Sequence, residues 1–236
     1  MTHLKKAKHI GIVACSYEGA ALCYKTICNE GSVFLGEHAH PEVSMHTFPL
    51  SEYMEYIYRD DWEGVAGLMH ATAQKLISIG AEILVCPDNT IHRVYPKAIE
   101  GLNTPWLHIA AEVALEAQRQ GYQKIGILGT RYLMESEVYP SIFEEYSMDY
   151  LIPSEEQRIR INQFIFQELV YGVLSPESKA YFLGVIDAFR AKGCDAVVLG
   201  CTEIPLIVLP HESSLPTLDS TRILARAALK HAISAI

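Results

Sequence analysis

The sequence predicts an α/β protein made of two similar Rossmann-like domains, each built on a parallel sheet. Three observations carry this. Short runs rich in Val and Ile alternate with longer stretches of helical periodicity, the pattern of strand–helix alternation. The runs are apolar throughout, as strands covered on both faces of a parallel sheet must be. The chain also repeats itself. Gly80–Thr90 (GAEILVCPDNT) aligns without gaps on Gly193–Glu203 (GCDAVVLGCTE), and upstream His9–Val13 (HIGIV) matches Lys124–Leu128 (KIGIL) at nearly the same spacing.

The elements follow in order. Ile10–Ala14 reads as a buried strand, with a helix from about Glu18 to Asn29. Val43–Phe48 is an edge-like strand. Tyr53, Tyr56 and Tyr58, beside Met54, form one side of a helix or loop and read as packing or a dimer surface. Asp60-Asp61-Trp62-Glu63 puts acids where a helix N-terminus favours them. That helix runs to Ile79 and stops at Gly80, a residue type suited to a C-cap. Ile83–Cys86 is a strand. A helix after Thr90 reaches about Glu100-Gly101, bent or interrupted at Pro96. Trp106–Ile109 is a short strand and Ala111–Gln120 a helix ending at Gly121.

The plan then restarts. Ile125–Gly129 is a strand, Met134–Tyr146 a helix and Asp149–Ile152 a strand before Pro153. Ser154-Glu155-Glu156-Gln157 opens a long helix to about Tyr171-Gly172. Ser175–Lys192 is a helix ending at Gly193, and Ala196–Leu199 a strand. Thr217-Leu218 leads into a final helix over about 220–236. The expected domains are 1–112 and 113–211, with 212–236 packing back on the first.

Composition narrows the function. Half of the 236 residues are hydrophobic and the formal charge is −9, with no Lys/Arg run, which argues against nucleic acid and anionic membranes as partners. No apolar run approaches the roughly 20 residues of a membrane span. The basic start, Met1 to Lys8, reads as the entry to a strand rather than a signal peptide. Six cysteines occur, Cys15, Cys23, Cys28, Cys86, Cys194 and Cys201, and none forms a CxxC pair. This usage points to a reducing cytosol, with most of the thiols as core residues. No GxGxxG or P-loop pattern is present, so nucleotide binding lacks support. His38, His40 and His46 have no Cys or carboxylate at ligand spacing, and no metal is expected.

In parallel sheets, ligands collect beyond the carboxyl ends of the strands, where the repeat places Asp88 and Cys201. Cys201 follows Ala-Val-Val-Leu-Gly, with Gly200 permitting a turn or the close approach of a ligand. Thr202 can hydrogen-bond a carboxylate, and Glu203 can partner an ammonium. The plainer alternative is a buried Cys at a strand-to-helix turn whose Thr caps the helix. In the first half, Asn89 and Thr90 can cap a helix or present donors to an anion. Asp88 can take and give a proton or serve as the cap. Cys86 is a rival for proton transfer, although its repeat partner Leu199 is a core position. His92, four residues after Asp88, either orients it or hydrogen-bonds the backbone.

Asn89-Thr90-x-His92 together with Gly200-Cys201-Thr202-Glu203-Ile204-Pro205 resembles the aspartate/glutamate racemase family, over nearly the whole chain. Ile10-Gly11-Ile12-Val13 followed by Glu18 is similar to a degraded form of the family's glycine-rich opening. The resemblance implies two α/β domains related by a pseudo-two-fold axis, with the site in the cleft between them. It implies a cofactor-independent racemase in which two groups remove and return the α-proton from opposite faces. It also implies an amino-acid or dicarboxylate substrate and a homodimer. The family usually has Cys directly before Asn-Thr, where this chain has Asp88. A carboxylate is a weaker base than a thiolate in water, and desolvation would have to compensate. Asn89, Thr90 and Thr202 would meet the charge of the carbanion-like intermediate. Aspartate-specific members bring basic residues to the distal carboxylate. The corresponding segments, Val43–Thr47 and Val173–Pro176, contain neither Arg nor Lys, leaving His46 or Lys179 for that role. The alternatives are a single-cysteine lyase or isomerase of the same superfamily, acting on a malonate- or maleate-type acid, and an inactive small-molecule binder.

Overall fold

The computed structural model describes residues 7–234. The N-terminal residues 1–6 and the last two residues of the expected final helix lie outside the described residues. The chain forms two compact units, one running through Ile109 and resuming at Thr221, the other Ala110–Ser220.

The first unit begins with β1 (Ile10–Ala14), α1 (Tyr17–Leu35), β2 (Val43–Thr47), α2 (Leu50–Tyr58), α3 (Trp62–Ser78) and β3 (Ile83–Val85). A 3₁₀ turn (Thr90–Val94), α4 (Tyr95–Ala98) and β4 (Trp106–Leu107) follow, and α5 (Ile109–Gln120) opens the second unit. The sheet order is β2-β1-β3-β4 and every pairing is parallel. Ser16 caps α1, its hydroxyl accepting from the Gly19 amide. Asp61 caps α3 in the same way. Gly80 follows α3 at φ 99°, a left-handed conformation that glycine adopts without strain.

The second unit continues with β5 (Lys124–Leu128), α6 (Arg131–Met134), α7 (Pro140–Glu145), β6 (Asp149–Leu151) and α8 (Glu155–Gln167). A 3₁₀ turn (Leu169–Tyr171), α9 (Pro176–Ala191), β7 (Ala196–Leu199), α10 (Ile204–Ile207) and β8 (Thr217–Asp219) complete it. Its sheet order, β6-β5-β7-β8, repeats that of the first unit and is again all parallel. Gly193 closes α9 at φ 81°, as Gly80 closes α3. Each central strand also carries a glycine with no room for a methyl group. A Cβ on Gly11 would lie 2.8 Å from Leu84 Cδ2 and one on Gly126 2.4 Å from the Phe189 ring.

The final helix, α11 (Ser220–Ile233), rejoins the first unit. Its Leu224, Ala225, Ala228 and Ala232 share a core with Ile10, Ile12, Ile83 and Val85 of the sheet and Ala20, Cys23 and Ile27 of α1. Some elements differ from the expectation. The helix expected over Met134–Tyr146 is two short ones. The Ser136 hydroxyl donates to the Leu133 carbonyl and accepts from the Val138 amide, and Pro140 starts α7, where its missing N–H does no harm. The segment carrying Tyr53, Tyr56 and Tyr58 is a helix of its own, with Tyr53 fully buried and Tyr58 71% exposed. The helix from Ser154, opened by a capping box with Gln157, passes into the 3₁₀ turn before Gly172.

Candidate active site

In the first unit the chain leaves β3 through Cys86, Pro87, Asp88 and Asn89 into the 3₁₀ turn. Because β3 lies beside β1, this loop reaches the β1–α1 junction. Asp88 Oδ2 accepts from the Ser16 amide at 3.1 Å and the Cys15 amide at 3.3 Å. One carboxylate oxygen is thus held at the start of α1, where free amides and the helix dipole favour an anion.

His92 fixes the same loop from the other side. Its Nδ1–H donates to the Asp88 carbonyl at 2.8 Å, and its Nε2 accepts from the Ile109 amide at 3.4 Å. The amide can only donate, which settles the tautomer. The ring is buried, and burial together with His108 holds its pKa well below the usual histidine value. His108, at the end of β4, meets the His92 ring edge-on at 4.8 Å, and burial lowers its pKa to about 4. Asn89 is buried and accepts the His92 amide through its carbonyl, and Thr90 begins the 3₁₀ turn.

Burial pushes the Cys86 and Cys15 thiols well above the ordinary cysteine pKa, with the Asp88 charge adding to the effect. Both are kept as thiols, which disfavours Cys86 as a proton acceptor.

In the second unit β7 ends at Leu199, and the Gly200 amide donates to the Leu128 carbonyl at 2.7 Å. A Cβ on Gly200 would lie 2.5 Å from Leu133 Cδ2 and 2.9 Å from Leu128 O, so only glycine passes here. Cys201 follows, 9% exposed, between the buried Gly200 and Thr202. Its thiol donates to Glu203 Oε2 across 2.8 Å. Glu203, expected to face an ammonium, has its own 6% exposed carboxylate turned to the thiol.

The remaining sequence candidates have protein partners of their own. His46, next to last on β2, has Nδ1 3.1 Å from Thr72 Oγ1 and Nε2 3.0 Å from Lys75 Nζ, both on α3. Lys179 is paired with Glu212 at 2.5 Å. His38 pairs with Glu37 on the surface and His40 bonds the Pro41 carbonyl. Among the described residues no group of three or more His, Cys, Asp or Glu could hold a metal ion, and no helix is long and apolar enough to cross a membrane. Sequence reading missed the Cys15 and Ser16 amides as Asp88 partners. The Ser16-x-x-Gly19 cap was the signal available for them.

The chain resembles known proteins in sequence and fold. A solved structure of a candidate Asp/Glu racemase from Yersinia pestis is 31% identical and covers 96% of this chain and 99% of its own, with a TM-score of 0.89. An aspartate racemase homologue from Pyrococcus horikoshii OT3 is 28% identical over 95% of this chain and 99% of its own, with a TM-score of 0.84. The broad specificity amino-acid racemase RacX of Bacillus subtilis strain 168 is 23% identical over 66% of this chain and 66% of its own length. The chain spans just under two thirds of the curated relatives it matches. Residues 12–228 match the model of the Asp/Glu/hydantoin racemases, and the chain belongs to that family.

Proposed function

We propose that this protein is an amino-acid racemase working without pyridoxal phosphate, with Cys201 and Asp88 as the two acid/base groups at the α-carbon. The observation that carries this reading is the 2.8 Å contact from the Cys201 thiol to Glu203. A thiol is scarce as thiolate at neutral pH, and here a carboxylate stands ready to take its proton. The S–H bond breaks, Glu203 gains the proton, and the thiolate sulfur becomes the base. In one direction the thiolate removes the α-proton and protonated Asp88 supplies one to the opposite face. In the other direction the Asp88 carboxylate is the base and the Cys201 thiol the acid. Negative charge developing on the substrate needs fixed donors, for which Asn89, Thr90 and Thr202 are suited. His92 serves the site by holding the Asp88 backbone. The substrate class is a small α-amino acid, of aspartate/glutamate type or broader, and the assembly a homodimer, which is the commonest symmetric oligomer.

A second reading has support of its own. Asp88 stands where a second thiol is expected, and one of its oxygens already accepts two amides. A single-base enzyme using Cys201 alone, a lyase or isomerase of a malonate- or maleate-type acid, would need no more than that. One experiment separates the two. The protein is incubated in D2O with each common amino acid as either enantiomer, and loss of the α-proton is followed by NMR. Exchange with inversion is expected. Exchange with retention only would leave Cys201 as the sole base, and absence of exchange with every amino acid would overturn the racemase reading.

A further inference from the structure

The last helix, α11, opens with two buried hydroxyl residues, Ser220 and Thr221. Hydroxyls of this kind commonly bond the backbone nearby in the chain. Here each donates to the carbonyl of another element. Ser220 Oγ–H donates to the Leu199 carbonyl at 2.9 Å, and Thr221 Oγ1–H to the Pro87 carbonyl at 3.4 Å. A carbonyl only accepts, so both directions are settled. Ser220 is fully buried and Thr221 is 1% exposed. The boundary between the compact units falls between the two residues, so each bond lies within its own unit.

The choice of carbonyls links these hydroxyls to the two acid/base groups. A peptide group is planar, so gripping its carbonyl also fixes the amide of the next residue. The Pro87 carbonyl shares its plane with the Asp88 amide. On the other side of the same residue, His92 holds the Asp88 carbonyl at 2.8 Å. The peptide planes before and after the Asp88 Cα are therefore both held, while the Cys15 and Ser16 amides hold its carboxylate. In the second unit the Leu199 carbonyl shares its plane with the Gly200 amide, which donates to the Leu128 carbonyl at 2.7 Å. That plane is held at both ends. It precedes Gly200, which has no Cβ to restrict its own backbone, and Cys201 comes next. Ser220 supplies a restraint that Gly200 cannot.

We propose that Thr221 and Ser220 are positioning residues for the reaction, Thr221 aiming Asp88 and Ser220 aiming Cys201. The inference rests on the acid/base roles given to Asp88 and Cys201 above.

Thr221→Val and Ser220→Ala test it in the full-length protein, each deleting one hydroxyl with little change of volume. Inversion and α-proton exchange with retention are followed together in D2O from each enantiomer. Loss of one hydrogen bond should slow inversion roughly three- to tenfold in either variant. In Thr221→Val, exchange with retention should persist at the wild-type rate for the enantiomer whose proton Cys201 removes. In Ser220→Ala it should persist for the opposite enantiomer, whose proton Asp88 removes. Thr221→Ser keeps the donor and should restore inversion. A merely structural role would give a parallel fall from both enantiomers. That result, wild-type rates in both variants, or no recovery in Thr221→Ser would overturn the proposal. Backbone amide NMR without substrate reads the restraints directly. Thr221→Val should move chiefly the Asp88 amide signal, and Ser220→Ala chiefly that of Gly200. Signals that stay put in both variants would sink the idea. Wild-type protein that exchanges no α-proton would remove the racemase reading and this proposal with it, and full inversion by Asp88→Asn would remove the Thr221 half. Those failures are told apart from the others because the amide shifts do not depend on turnover.

Discussion

The Cys201 thiol and the Glu203 carboxylate are in direct hydrogen-bond contact at 2.8 Å. Cys201→Ser should abolish α-proton exchange, since a hydroxyl is far less readily ionised. Glu203→Gln keeps an acceptor at the same place but removes the site that takes the proton. Its activity at pH 7 should fall roughly hundredfold, within the range of a lost acid/base contribution, and recover toward alkaline pH, where the thiol ionises unaided. The pH profile of kcat/KM checks both. The repeat made it legible in the sequence that the β7 tip and the Asp88 loop follow equivalent strands. The polar partners were not legible. His46 finds Thr72 and Lys75 across the face of the sheet, and no local spacing rule connects a strand to a helix that packs over it.

At the scale of elements, the two glycine environments make opposite predictions. Gly126→Ala drives a methyl group into the Phe189 ring in the middle of β5 and should destabilise by about 1–3 kcal/mol. Gly184→Ala, in the interior of α9 with no atom within 4 Å of the added Cβ, should stabilise by about 0.5–1 kcal/mol. Urea denaturation of the two variants gives both signs in one experiment. Strands, their order of appearance and the glycine stops after α3 and α9 were readable from apolar runs and punctuation. The break between α6 and α7 was not, because it depends on the Ser136 hydroxyl binding the backbone on both sides, a competition that helical periodicity does not register. Leu224→Ala, in the core that α11 closes, should cost about 2–5 kcal/mol by the same assay.

For the molecule as a whole, the buried histidines beside the Asp88 loop tie stability to pH. His92 and His108 both have folded pKa values below the unfolded value of 6.5, that of His108 at about 4. The unfolded chain therefore binds more protons in that interval, and stability falls as pH drops from 6.5 toward 4. The midpoint of thermal unfolding should fall across this window, and His108→Gln should flatten the slope. The repeated sheet order was foreshadowed by the paired motifs, whereas the exact return of the chain to the first unit depends on side chains of α11 that share one helix face. That return has a consequence for how the protein is made. The β1 face carrying Ile10 and Ile12 emerges from the ribosome before the second unit, but α11, one of the two helices that cover it, is translated only after every residue of that unit. The second unit has all its own strands in hand before the first can be sealed, so until α11 follows the nascent chain carries a sheet face that α1 covers without it, and that interval is where holdase chaperones would find it.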